Sequence, residues 1–451
     1  MKFLDFTAAN YSNVKKSNCK IFYPKNNDEI KDIFKYVKKN KKKILCIGSS
    51  QSWFDTILNS NNVIINLKHL KKIFNLNKKD KILTVSSSYK IKEILENINQ
   101  HGLSLFSIPG SLDVTIGGCV ANDVHGKDSY KYGNFGENII EIEIMLSSGE
   151  LTACTKDYNS ELFTSVIGGL GLMGVITKIK LNLKEITNFY EVENFNCDNY
   201  QSLITTLYNK ANEFDYVYGW VDLLSKNKKL GRGVVFKSKK IFKFKELNKS
   251  KVSKKKYLTF IKSLIFMFCT KLKLISYLNS AFYYIHMINK KKIISYEENI
   301  NTLKYSGAEL KQMCPPNSFF DVQVILKKET LPNSLYEFIN KCQDLNLKGS
   351  IIGIKMHKKN NNYLSFSDDG VSINITTIFK FEEKNALETK FKELYQFIIK
   401  NNYKVYIAKD FFFDRESFFK NYENANKFFS LKQKYDKDGL LYSDFLKRIE
   451  K

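Results

Sequence analysis

The stretch Ile108–Gly136, IPGSLDVTIGGCVANDVHGKDSYKYGNFG, decides the reading of this chain. It gathers Pro109 with Gly110, Gly117, Gly118, Gly126, Gly133 and Gly136, a large share of the chain's 21 glycines in one short segment. Glycine carries no Cβ, so a backbone rich in it approaches a ligand closely and turns left-handed without steric cost. A diphosphate asks for such a backbone, because several N–H groups must converge on its oxygens. Two more small-residue loops accompany the segment: Gly48–Asp55 (GSSQSWFD) before it and Ile167–Ile176 (IGGLGLMGVI) after it.

Around these loops the first part of the chain alternates β and α. Lys20–Tyr23 reads as a strand, and Asn27–Lys38 as a helix with Ile30, Ile33, Phe34 and Val37 at helical spacing. Lys43–Ile47 is a strand running into the first loop. Val63–Leu67 and Lys81–Ser86 are further strands, and Lys90–His101 is a helix. No G-x-G-x-x-G joins a first strand to a helix, which excludes the doubly wound dinucleotide fold and favours α+β.

From about Val192 to Asn401 strands alternate with helices around a long insertion. Lys237–Lys256 is lysine-rich, and Tyr257–Ile288 is strongly apolar but cut by Lys262, Lys271 and Lys273. That run reads either as one or two amphipathic helices on a second domain or as an interfacial surface that lies on a membrane or receives a lipid tail. The tail carries a strand at KVYIAK and a helix pattern after Arg415. The expected domains are 1–190, 191–401 with the insertion near 237–290, and 402–451 returning to the first.

The chain has 451 residues, 43% of them hydrophobic, enough for two cores. Its formal charge of +26 suits a polyanionic partner or reflects a Lys/Asn/Ile-rich vocabulary. No nucleic-acid motif accompanies it, so nucleic-acid binding rests on charge alone. The 8 cysteines form no C-x-x-C pair, so neither zinc nor a disulfide framework is expected. Without a secretory leader or a spanning apolar run, the expected setting is cytoplasmic, either free or peripheral at the inner face of a membrane.

Taken together, the three loops resemble the FAD-binding domain of the vanillyl-alcohol oxidase / p-cresol methylhydroxylase superfamily (PCMH-type). Within it the likeness is greatest to the decaprenylphosphoryl-β-D-ribose 2-oxidases. The resembling pieces are GGCVANDVHGKDSYKYGNFGENI from 117, ELFTSVIGGLGLMGVI from 161, DVQVIL at 321, VYIAKD at 405 and YDKDGLLYSDFLKRI near the end. The resemblance implies a two-lobed FAD-binding domain with an inserted α+β substrate (cap) domain, and hydride transfer from a sugar hydroxyl to flavin. It implies a sugar or lipid-linked sugar as substrate and a short-chain reductase as partner.

Carried over by position, Gly48, Ser49, Ser50, Gln51 and Ser52 would line the diphosphate. Pro109, Gly110, Ser111, Gly117, Asn122, Val124, Gly126 and Ile176 would contact flavin, ribose or adenine. Tyr406 and Lys409 would return from the C-terminal segment to the flavin ring, where Lys409 would stabilise the negative charge left by hydride transfer. His125 is a candidate proton acceptor, with Lys409 or solvent as competitors. Lys127, Gln323, Lys355 and Ser372 would face the substrate.

Some positions depart from the pattern. Many relatives join flavin covalently to a histidine at the position of Gln51, so non-covalent FAD is expected here. Trp53, Phe54 and Asp55 replace an aromatic followed by Gly-Asp, and Ser372, with Asn374 nearby, stands where a cysteine is usual. These departures leave open an aldonolactone or hydroxy-acid oxidase with a soluble substrate, and a flavin-binding protein without catalysis.

Overall fold

The computed structural model describes residues 3–242, 274–288, 290–301, 318–349 and 352–450. The remaining parts of the expected basic-apolar insertion, including 243–273, lie outside the described residues.

Three larger sheets and a two-stranded one, Leu103–Ser104 with Lys184–Glu185, organise the described residues of the α+β chain. In the first, Leu4–Ala9 runs antiparallel to Lys16–Phe22, which pairs in parallel with Val63–Asn66 and through it with Ile44–Ile47. The expected strand at Lys20–Tyr23 extends back to Lys16 because Ser17, Cys19 and Ile21 alternate inward. Helix Asn27–Lys39 packs beside this sheet. The Asn26 side chain caps it by accepting from the Glu29 N–H at 2.9 Å, Asp28 and Glu29 occupy its first turn, and Lys38 and Lys39 its last. Its buried stripe is the one expected, Ile30, Ile33, Phe34 and Val37.

The second sheet is antiparallel, in the order Phe74–Asn77, Ile82–Ser86, Val175–Asn182, Ile139–Met145 and Leu151–Thr155. All three small-residue loops emerge where these two sheets meet. Gly48–Asp55 follows Ile44–Ile47, the Ile108–Gly136 segment precedes Ile139–Met145, and Ile167–Gly174 runs directly into Val175–Asn182.

The third sheet has eight strands in the order Lys291–Ser295, Phe189–Cys197, Gly233–Ile241, Tyr216–Val221, Gly353–His357, Gly370–Phe379, Ser318–Lys327 and Lys404–Val405. Its two faces differ. Val322, Val324, Ile354, Ile373 and Ile375 are fully buried on one side, in a core shared with helix Asn333–Asp344 and helix Lys384–Lys400. Alternation then sends Asp321, Gln323, Lys355, His357, Ser372 and Asn374 to the other face, toward the loops.

The tail departs from expectation. Only Lys404–Val405 is strand, and Ile407–Lys409 is a 3-10 turn, so Lys409 sits on a turn rather than at a strand end. Beyond it the chain lies against the first sheet: the Ile44 N–H donates to Leu440 O at 2.7 Å. Arg448 clamps Asp55 through two nitrogens at 2.9 and 3.0 Å and reaches Asp410 at 2.8 Å. Among the described residues no helix is long and apolar enough to cross a membrane.

Candidate active site

A cavity of about 1540 Å³ lies between the three loops and the polar face of the third sheet. Of the residues expected at the site, all but one line it. They are Gly48 through Ser52, Pro109, Gly110, Ser111, Gly117, Asn122, Val124, His125, Lys127, Ile176, Gln323, Lys355, Ser372, Tyr406 and Lys409. The exception is Gly126. Its N–H donates to Ser129 Oγ at 2.8 Å, and a Cβ there would come within 2.8 Å of the Ser107 backbone. Gly126 serves loop packing rather than the cavity surface.

The glycines explain how the loops close on one another. A Cβ on Gly48 would stand 2.1 Å from Thr115 Oγ1, and one on Gly117 would stand 2.9 Å from Ser87 Cβ. Thr115 in turn caps helix Ile116–Ala121, accepting from the Gly118 N–H at 3.3 Å. The third loop is fastened to the same helix, with Gly168 N–H on Val120 O and Leu170 N–H on Ala121 O.

With the loops so fixed, polar groups remain for a ligand. Among the described residues, the N–H groups of Ser49, Ser50, Gln51 and Ser52 donate to no protein acceptor. Ser50 holds φ at +55°, a left-handed turn uncommon for a non-glycine residue. Asn122 Nδ2 is used on Gly118 O at 2.9 Å, while Asn122 Oδ1 is buried without a partner at the cavity wall. Buried polar atoms are nearly always satisfied, so orphans facing a cavity mark a place for a polar ligand.

At the other end of the cavity the groups are charged. Lys409 Nζ lies 3.4 Å from the buried Asp321 carboxylate and 4.1 Å from the centre of the Trp53 ring. Asp321 also accepts from Thr376 and from Asn374 Nδ2 at 3.4 Å. Tyr406 stacks on Phe366 with ring centres 4.7 Å apart, and its hydroxyl donates to Asn122 O at 3.3 Å. Burial raises its pKa, so it stays a phenol.

Lys127 Nζ donates to Asn299 O and lies 4.3 Å from the Tyr218 ring centre. Burial, and then the neighbouring Lys355 charge, holds Lys127 well below the usual lysine range. Lys355 sits in register with Ser372, and burial and then the Lys409 charge lower it to about 8.

His125 is buried, its Nε2 is 3.1 Å from the Gln323 amide nitrogen, and its Nδ1 has no partner. Gln323 Nε2 also donates to Ser372 Oγ at 3.3 Å. Burial, then the charge of Lys355, holds His125 well below the usual histidine range, so it is neutral. His357 packs edge-on against it at 4.7 Å, both ring nitrogens unpartnered, and burial lowers it to about 3.

Sequence reasoning missed Asp321, His357, Asn299 and the aromatic wall of Tyr218, Trp220 and Phe236. Two of these carried a signal: Asp321 and His357 stand two residues from Gln323 and Lys355, and period-two spacing on a strand puts each pair on one face.

Comparison with known proteins agrees with this architecture. Residues 20–155 match the family described as FAD binding domain. The chain is 25% identical to decaprenylphosphoryl-beta-D-ribose oxidase of Mycolicibacterium smegmatis over 195 residues, 43% of this chain and 42% of that protein. It is 22% identical to L-gulonolactone oxidase of Mus musculus over 160 residues, 36% of each. Cytokinin dehydrogenase 1 of Arabidopsis thaliana is 32% identical over 131 residues, 28% of this chain and 23% of that protein. The matched stretches span less than half the length of these relatives. The residues present fit FAD: four unspent N–H groups and the orphan Asn122 oxygen offer both donors and an acceptor inside the cavity.

Proposed function

We propose that this chain, which carries a PCMH-type FAD-binding domain at residues 20–155, is an oxidoreductase that converts a secondary hydroxyl of a sugar to a ketone. The finer reading is a pentose linked to a polyprenyl phosphate. One observation carries the proposal: the unspent N–H groups of the first loop and the lysines of the cap sheet open onto one cavity.

Bound FAD would supply the hydride acceptor. Ser49, Ser50, Gln51 and Ser52 would hold its diphosphate, and Gln51, lacking a nucleophilic ring nitrogen, leaves it non-covalent. Lys409, positioned by Asp321, would offer a fixed positive charge beside the redox ring.

The substrate hydroxyl must lose a proton as its carbon loses a hydride. Neutral His125 is free to accept one, but the charges around it make its imidazolium costly. Lys355, lowered to about 8, spends an appreciable fraction neutral near physiological pH. We assign proton acceptance to Lys355 and positioning of the hydroxyl to His125 with Gln323. Lys127, held below the usual lysine range by burial and then by Lys355, would regain its charge against an anionic group on the substrate, which favours a sugar phosphate ester. The likeness to L-gulonolactone oxidase supports a second reading, a neutral sugar lactone as substrate.

The test is a visible spectrum of the purified protein followed by acid precipitation. Yellow protein that releases FAD to the supernatant is expected. Anaerobic bleaching by a phosphorylated pentose and not by a sugar lactone would support the substrate reading. A colourless protein that takes up no FAD would overturn the proposal.

A further inference from the structure

Helix Ile275–Ile288, ISYLNSAFYYIHMI, contains no charged residue. It nonetheless attaches to the cap sheet by polar contacts. Asn279 Nδ2 donates to Asp222 Oδ1 at 2.7 Å, and Ser280 Oγ accepts from Arg232 at 2.7 Å. The Tyr283 hydroxyl donates to Asp198 at 2.8 Å, and Asn196 Nδ2 donates to Tyr283 O at 2.8 Å. Its outward side is apolar: Tyr277 is 74% exposed, Tyr284 49%, Met287 51% and Ile288 82%. Tyr277, Tyr284 and Ile288 follow at i, i+7 and i+11 and so form one stripe. A surface helix of a globular protein normally turns its apolar stripe inward and its polar face to water. This one buries Ile275 and packs Phe282 on Trp220 at 4.8 Å, yet turns a second apolar stripe outward, and an exposed apolar patch of that kind marks a surface made for an apolar environment.

The same helix is a wall of the cavity, which Leu278, Phe282, Ile285 and His286 line. In sequence it is bracketed by positive charge. The run 243–273 that leads into it is lysine-rich with Glu246 as its one acidic residue, and Lys290, Lys291 and Lys292 follow it, although Lys291 pairs with Glu193 at 2.8 Å and Lys292 lines the cavity. A second copy of this chain, at a formal charge of +26, would be repelled. An anionic surface would instead be attracted, and each lysine near it adds to the binding.

We propose that the outer face of helix Ile275–Ile288 docks on an anionic phospholipid surface, bringing the cavity wall that this helix forms up to the lipid. The inference does not rest on the flavin reading, and its test needs no turnover.

The full chain is sedimented with vesicles of phosphatidylcholine alone and of phosphatidylcholine mixed with phosphatidylglycerol. It is expected to co-sediment with the anionic vesicles, less so as salt rises, and hardly at all with the neutral ones. The double variant Tyr284→Asp/Ile288→Asp is expected to reduce vesicle partition at least ~10-fold, with flavin content and melting temperature unchanged. The milder Tyr277→Ser/Tyr284→Ser variant, which introduces no charge, should weaken it in the same direction. No association of the parent chain with anionic vesicles would overturn the proposal. So would partition that the variants leave intact, since the lysines alone would then be responsible. Self-association abolished by the variants without vesicle binding would assign the face to a second copy, and would also overturn it.

Discussion

Between Ser49 and Ser52 the cavity wall is made of backbone, and its useful groups are N–H bonds that no atom of the described residues takes up. Across the cavity, on strands Ser318–Lys327, Gly353–His357 and Gly370–Phe379, the wall is made of side chains: Gln323, Lys355, Ser372 and, behind them, Asp321 and His357. The first wall can hold a ligand shared by many proteins, because a diphosphate is read by any suitably curved backbone. The second must be specified residue by residue. On the proposed reading the first wall takes the cofactor and the second the substrate, and the two should fail in different ways when altered.

The largest effect is expected on the side-chain wall. Lys355→Met should lower the rate of anaerobic flavin reduction ~100-fold or more, the usual scale for a lost general base, while FAD stays bound. The pH dependence separates Lys355 from His125. A lysine acts as base only when neutral, so with Lys355 as acceptor the parent rate should climb with pH through about 8 and level off above it. His125 is already neutral throughout that range, so a His125 base predicts no rise between neutrality and pH 9. Stopped-flow reduction by whichever sugar bleaches the flavin checks both. A rise near 8 that persists in Lys355→Met would remove this assignment.

The backbone wall should respond differently. Gly48→Val places a branched side chain where even a Cβ would stand 2.1 Å from Thr115 Oγ1. The first loop must then move off helix Ile116–Ala121, and the N–H groups of Ser49 to Ser52 lose their common target. Overpacking of this kind typically costs 1–3 kcal/mol, so FAD affinity should fall by roughly 5- to 150-fold. Titration of the apoprotein with FAD, followed by flavin fluorescence, measures it. Unchanged affinity would mean that the loop is not part of the cradle.

This contrast also explains what could be read from the sequence alone. The three glycine-bearing loops were legible because a backbone site needs glycine and small residues at fixed points, and those leave a local mark. Helix Asn27–Lys39 was legible for a similar reason, its stripe Ile30, Ile33, Phe34 and Val37 being periodic. Lys409 could be named, but its surroundings could not: its partner Asp321 lies far away in sequence, and the chain turns at Ile407–Lys409 where apolar residues suggested a strand. Tyr218 and Asn299, which meet Lys127, belong to separate segments and form a group only through the order of the eight strands. Strand Leu4–Ala9 was missed because only Ala8 among its residues is buried, so it lacks an alternating pattern.

The smallest effect concerns the residue behind the side-chain wall. His357 is buried with both ring nitrogens unpartnered, so the folded state resists its protonation, and the ring titrates near 3 rather than 6.5. A histidine depressed in this way contributes stability that is fully present above pH 6.5, its value in the unfolded chain. That stability is lost as pH falls toward about 3, at a slope of about 1.4 kcal/mol per pH unit, because the unfolded state binds the extra proton. His357→Phe keeps the ring against His125 and Phe366 and removes the titrating group. Its stability at pH 7 should therefore change little, whereas at pH 5 it should retain about 2 kcal/mol that the parent chain loses. Urea unfolding at the two pH values gives the comparison. Equal acid sensitivity in both proteins would show that His357 is already protonated in the folded chain, and the buried positive charge would then have to be balanced by a group on the loop side of the cavity.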